Sequence, residues 1–179
     1  MRKTNYFLLF LLLFMAFSQG CEETDDGTYT APITLYERIG GTWSITGLNQ
    51  VDEVAKATNL KPVEMTLTSK FNFRSFKITL NVDSTSFQPT TYAVSGTAPE
   101  LFATSGYWQL DEPYYHADQS TSNILLYSDE ARTQQTDKLT VIAIPIAETG
   151  SKAALELSLT RYDNGSPFVS YVYKLKRAN

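Results

Sequence analysis

The sequence predicts an all-β protein folded as a single antiparallel barrel of about eight strands. Three observations lead there. Apolar residues recur with a period of two along short segments from Trp43 to Leu175. Turn-forming residues separate those segments, and no convincing long helical period interrupts them. Closure is favoured because a closed barrel leaves no strand edge exposed. Short helical turns are expected before the first strand and near residues 66–73.

The chain opens with Met1-Arg2-Lys3, and Tyr6 to Phe17 is almost continuously apolar. A positive start, a short apolar core and a small residue at the cut describe a secretory signal over residues 1–20. The core falls short of the roughly 20 residues a spanning helix needs. Ser18-Gln19-Gly20 leads into Cys21, the single cysteine of the chain. This arrangement resembles a bacterial lipoprotein signal, which implies lipidation of Cys21 and attachment to a membrane through the acyl chains. Glu22-Glu23-Thr24-Asp25-Asp26 follows directly. It reads as a solvated acidic tether and also resembles the surface-export signal of lipoproteins in the Bacteroidota. The flexible tether is expected to cover residues 21–34, and the barrel domain residues 35–179.

Gly40-Gly41 lets the backbone turn sharply into the first strand, Trp43 to about Val51. Trp43 takes the first inward position, where it can plug one end of a small barrel. Val54 to Leu60 fits a loop or a helical turn. From Pro62 to Phe73 helix and strand templates compete, and a phase break before Phe76 favours a short helical segment late in the stretch. Ser75 to Asp83 is the clearest strand, with Phe76, Ile78, Leu80 and Val82 alternating against polar residues. Thr90–Gly96 and Tyr107–Asp111 continue the pattern. Asn123–Ser128 and Leu139–Ile146 are apolar on both faces and are expected to be covered on both, with Pro145 marking an end or an edge.

The last two strands, Ala153–Arg161 and Phe168–Lys176, flank Asp163-Asn164-Gly165. A two-residue loop at Asn164-Gly165 would pair Leu159 with Ser170 and flip a face. A three-residue loop with Gly165 left-handed pairs Leu159 with Val169, Leu157 with Tyr171 and Leu155 with Tyr173, so that register is expected.

Composition narrows function. The formal net charge is -4, which argues against nucleic-acid binding by a basic patch. With one Cys and one His, an internal disulfide is impossible and a zinc site built from several such ligands is excluded. His116 with Asp118 has no marked nucleophile beside it, and Asp111, Glu112, Asp118, Asp129 and Glu130 are scattered. No catalytic residue, metal site or cofactor is expected. Tyr107, Trp108, Tyr114 and Tyr115 form the densest aromatic cluster. Packing is the more common role for such residues, but at a barrel mouth they can stack on a sugar or line an apolar pocket. The mouth is expected there, opposite an end plugged by Trp43.

Gly41-Thr42-Trp43, Phe76-Lys77-Ile78-Thr79-Leu80, Gly106-Tyr107-Trp108-Gln109-Leu110-Asp111 and Tyr171-Val172-Tyr173-Lys174-Leu175, read with the leader, resemble the lipocalin-like lipoproteins of the Bacteroidota. The resemblance implies a lipocalin-like barrel anchored at the outer membrane and possible exposure at the cell surface. It also implies that an arginine near the barrel end, Arg161 or Arg177, packs on Trp43, with Gly41 and Trp43 structural. The expected function is non-enzymatic: binding of a small apolar molecule or a glycan, or, as the alternative, an accessory role through a protein partner of unknown identity.

Overall fold

Residues 33–114, 121–144 and 154–178 are described by the computed structural model. Cys21, Tyr115, His116, Asp118 and Pro145 lie outside them, with the expectations attached to each. Helix α1 (Leu35–Ile39) precedes the first strand, as expected. Thr34 caps it: its hydroxyl accepts from Glu37 N at 3.3 Å, and the Glu37 carboxylate accepts from Thr34 N at 2.6 Å. This reciprocal cap supports a helix too short to stand alone in water.

Nine strands follow among the described residues: β1 (Gly41–Asp52), β2 (Glu64–Thr66), β3 (Lys77–Val82), β4 (Pro89–Ser95), β5 (Ser105–Leu110), β6 (Asn123–Tyr127), β7 (Gln135–Ala143), β8 (Ala154–Asp163) and β9 (Ser166–Arg177). Each pairs antiparallel with the next from β3 onward, and β1 pairs with both β3 and β9. β2 pairs only with β1, so eight strands make a closed antiparallel barrel and β2 is an addition to its wall. A single antiparallel barrel of about eight strands is what the sequence predicts.

Inward faces follow the alternation. Trp43, Ile78, Leu80, Trp108, Leu126 and Leu155 are all at most 1% exposed. Burying each of the aliphatic side chains is worth about 1.5–3 kcal/mol relative to exposure. β1 keeps its face through a bulge between Ile45 and Gly47, so Ile45 and Leu48 both point inward. The buried cluster runs from Leu35 to Leu175, so among the described residues the barrel carries its whole core.

Two expectations need correction, and one open choice is resolved. The helical turn expected near residues 66–73 is displaced: the stretch begins as β2, and the helical turn is a 3-10 turn at Phe73–Ser75 that buries Phe73. Val54–Leu60 opens with a helix, α2 (Glu53–Ala57), capped by Asp52. β7 is not covered on both faces: Val141 is buried, but Ile142 is 47% exposed.

The final register also differs. Leu155 pairs with Leu175, Leu157 with Tyr173 and Leu159 with Tyr171. Asn164 and Gly165 both have positive φ, 47° and 79°, which is the two-residue hairpin turn. Asp163 faces Ser166 and Tyr162 faces Pro167, but Arg161 faces Val169, so Phe168 is bulged out. That extra residue restores the apolar face which the short turn alone would have flipped.

Candidate functional site

The end where β1 begins and β9 finishes, called lower here, is sealed by its own residues. The Trp43 indole N–H donates to Ile39 O at 2.7 Å. The Arg177 guanidinium carbon lies 4.6 Å from the Trp43 ring centroid. Its two terminal nitrogens donate to Gly40 O at 2.8 Å and Arg38 O at 2.9 Å. A Cβ on Gly41 would sit 2.5 Å from Arg177 Nη1. The glycine of Gly41-Thr42-Trp43 therefore leaves room for the guanidinium, and Arg177 rather than Arg161 packs on Trp43.

The aromatic cluster lies at this same end, which corrects its expected position opposite Trp43. Leu35 N donates to Pro113 O at 2.9 Å, tying α1 to the loop after β5. Trp108 is fully buried, meets Tyr36 edge to face at 5.6 Å and donates its N–H to Asn81 O at 2.9 Å. Alternation turns the half-buried Tyr107 to the other face, and Tyr114 is 48% exposed. These residues do not gather on one surface. Trp108 has no free ring face for a sugar.

Two of the scattered acids, Asp111 and Asp129, serve turns. Asp111 accepts from Asn123 N at 2.8 Å, and Asp129 accepts from Thr133 Oγ1 at 2.7 Å and Gln134 N at 2.8 Å. Hydrogen bonding, led by the Thr133 hydroxyl, holds the Asp129 carboxyl below its ordinary value. Among the described residues no three His, Cys, Asp or Glu side chains lie together as a metal site would need.

The upper end is closed differently, by the loop between β4 and β5. Its Phe102 turns into the barrel, 6.4 Å from Phe76 and 6.1 Å from Tyr173 between ring centroids. The loop leaves β4 at Gly96, whose φ is +110° and whose Cβ, if present, would strike Ser75 O. Thr97 N donates to Ser75 Oγ at 2.9 Å. A cleft of about 40 Å³ remains in the loop itself, lined by Phe76, Val94 and loop residues that include Ala98, Leu101 and Phe102. Deeper in, around Ile78, Leu139 and Leu157, no space remains for a water molecule.

Arg161 and Asp137 share this end. Each is in phase with the buried face of its strand, Leu155-Leu157-Leu159 for one and Leu139-Val141 for the other. Arg161 Nη1 pairs with Asp137 Oδ1, and Nη2 donates to Leu101 O in the loop. Tyr92 lies in the same interior. Its hydroxyl is buried beside Thr136 and Asp137, and the Thr136 side chain partly offsets the upward push on its pKa. Burial, and then the Asp137 charge, push this phenol's pKa up. Burial first, with the charges of Tyr171 and Asp137 adding to it, pushes the Tyr173 phenol up as well. Sequence reasoning missed Phe102, Asp137 and Tyr92. Its available signal was a charge in phase with an apolar face at both Asp137 and Arg161.

Fold and site together define a small closed antiparallel barrel with an internal plug at each end. The chain belongs to the family described as a domain of unknown function, DUF5004, whose profile matches residues 17–176. No curated protein and no solved structure matches it.

Proposed function

We propose that this is a lipid-anchored, non-enzymatic protein of the bacterial outer membrane whose barrel is a binding module for a small apolar molecule. The anchor reading rests on the leader ending at Cys21 and on the resemblance to lipocalin-like lipoproteins of the Bacteroidota. The acidic run Glu22–Asp26 favours exposure at the cell surface. One observation carries the binding reading: the cleft at the β4–β5 loop, walled by Phe76, Val94 and the loop's own Ala98, Leu101 and Phe102. Its about 40 Å³ is far below the roughly 300–1,000 Å³ of an ordinary ligand pocket, so a guest enters only as the loop yields.

The alternative is an accessory role through a protein partner. It is favoured by the filled lumen directly below Phe102 and by Val54, Leu60, Met65 and Phe168, which are all exposed on or beside elements at the upper end. Thermal-shift screening of the chain from Glu22 onward against fatty acids, haem, bile acids and glycans separates the two. Stabilisation by an apolar ligand, with glycans silent, supports the module. A chain indifferent to all of them that reproducibly captures one envelope protein overturns it. Mass spectrometry of the membrane fraction tests the anchor: an acylated N-terminal Cys21 is expected, and a Cys21→Ser chain that still pellets with membranes refutes it.

A further inference from the structure

We infer that the outer wall formed by β3, β1 and β9 is a docking face for the phosphate head groups of an anionic membrane. This rests on the lipid-anchor reading above and specifies which side of the barrel meets the membrane. The chain has a net charge of -4, yet its cations are not spread evenly. Ser44 on β1 pairs with Lys77 of β3 on one side and with Lys176 of β9 on the other. Trp43 and Ile45 are buried, so alternation turns the Ser44 row outward, and both lysines are exposed. Strand spacing puts these two about 10 Å apart at their Cα atoms, with Lys174 about 7 Å further along β9. Lys174 faces Gly47, and its Cβ lies 3.6 Å from where a Gly47 Cβ would stand. The connection from β2 to β3 runs beside the same strand. Thr68 Oγ1 accepts from Leu48 N at 2.8 Å, and Ile45 N donates to Phe76 O at 3.2 Å. That connection adds Lys70 and Arg74, both exposed.

Among the described residues none of these five cations makes an ion pair. Glu156 on β8 stands across from Lys174, and Glu64 is taken up by the Asn49 side chain. Asp111 and Asp129 close turns between β5, β6 and β7, strands that do not border this wall. The wall therefore keeps an unrelieved positive charge on an acidic protein, and a partner of opposite sign relieves it. Ser44, Thr46, Gly47 and Thr68 lie between the lysines, so no bulky side chain holds a flat partner off the ammonium groups. Lysine is a mobile point charge on a flexible stem, suited to phosphate oxygens in no fixed array. That is the chemistry of a head-group layer. Chain length makes the membrane the occupant: a fully extended stretch from Cys21 to Ile33 spans at most about 43 Å, so an acylated Cys21 keeps the wall within reach of the head groups. The acyl chains hold the protein to the membrane, and the basic wall sets how the barrel lies on it.

The test uses the unacylated chain from Glu22 onward, which contains the whole described core, so that no lipid anchor supplies the binding. It is sedimented with vesicles of phosphatidylcholine alone or mixed equally with phosphatidylglycerol. At about 0.05 M salt the mixed vesicles are expected to take up the chain at least about tenfold more strongly, although the chain as a whole is acidic. Raising the salt to about 0.5 M is expected to abolish the difference. Lys77→Gln, Lys174→Gln and Lys176→Gln together are expected to lower uptake by the mixed vesicles about tenfold or more, and the same three positions changed to Arg to keep it. Lys138→Gln on β7, also exposed, is expected to change uptake by less than about twofold. All these side chains are exposed, so folding should be unaffected, and thermal melting checks it. No preference for the mixed vesicles, or a preference that the three Gln changes leave intact, overturns the face. An acylated Cys21 found beside either result leaves the anchor reading standing. An unacylated Cys21 with the vesicle preference intact removes the anchor and keeps the face.

Discussion

Arg177 covers the Trp43 indole from the opposite end of the chain, its guanidinium carbon 4.6 Å from the ring centroid. The two residues are also direct cross-strand partners in the pairing of β1 with β9. Arg177→Ala removes the ring contact and strands the Gly40 and Arg38 carbonyls. A loss of about 2–4 kcal/mol is expected in urea unfolding. Arg177→Lys should recover only part of this, because an ammonium cannot reach both carbonyls with a planar fork.

The glycines at the two hairpin-like corners separate strain from collision. Gly165 has φ +79° and no atom within 4 Å of its missing Cβ, so Gly165→Ala should cost about 1–2 kcal/mol from backbone strain alone. Gly96→Ala adds a clash with Ser75 O to a similar strain. It should cost more than Gly165→Ala and also release the β4–β5 loop, seen as faster amide exchange in residues 96–104.

β7 supplies a test of its one-sided burial. Val141→Thr places a hydroxyl in the core and should cost about 1–3 kcal/mol. Ile142→Thr, at a position 47% exposed, should change stability by less than about 0.5 kcal/mol. Equal losses in denaturant melts would mean that this face is covered.

Stability should fall at both pH extremes for assignable reasons. Asp83 and Asp129 have carboxyl pKa values held below the ordinary range, Asp83 first by the Ser86 backbone N–H and Asp129 first by the Thr133 hydroxyl. Their contribution is present above the unfolded carboxylate pKa of about 4 and is lost as pH falls through the depressed folded values. Burial holds the Tyr173 phenol above its ordinary value. Its contribution is present below the unfolded pKa of about 10 and is lost as pH rises above it. In melts at a series of pH values, Asp129→Asn should flatten the acid limb and Tyr173→Phe the alkaline limb.

The wall was legible in the sequence wherever one face is wet. Ile78 and Leu80 alternate with Lys77 and Thr79, and that alternation is β3. Segments apolar on both faces gave no such contrast, which is why Ile142 was expected to be buried. The choice between Arg161 and Arg177 depends on which strand end lies beside Trp43, a fact of topology and not of local pattern. The last register was missed because nothing in Pro167-Phe168-Val169 announces that Phe168 will bulge. The upper plug was hidden for another reason. Leu101-Phe102 sits among Gly, Thr, Ala and Pro residues, where a pair of apolar side chains carries no period. The aromatic cluster at Tyr107 and Trp108 drew the site reading to the end that the fold seals.

The pairing of β1 with β9 bears on the order in which the molecule can assemble. Arg177 and Gly40, joined by a hydrogen bond, are 137 residues apart in sequence, and Ala178 N donates to Thr42 O at 2.9 Å. The first strand made therefore waits for the last before its second edge is satisfied, and Trp43 has no cation over it until then. High contact order of this kind slows folding and leaves a sticky edge open in the interval. The same closure sets the barrel's first and last residues side by side, so a short linker between them, with new termini cut at Asn164-Gly165, should yield a circular permutant that keeps the barrel and moves the wait to the β8–β9 seam.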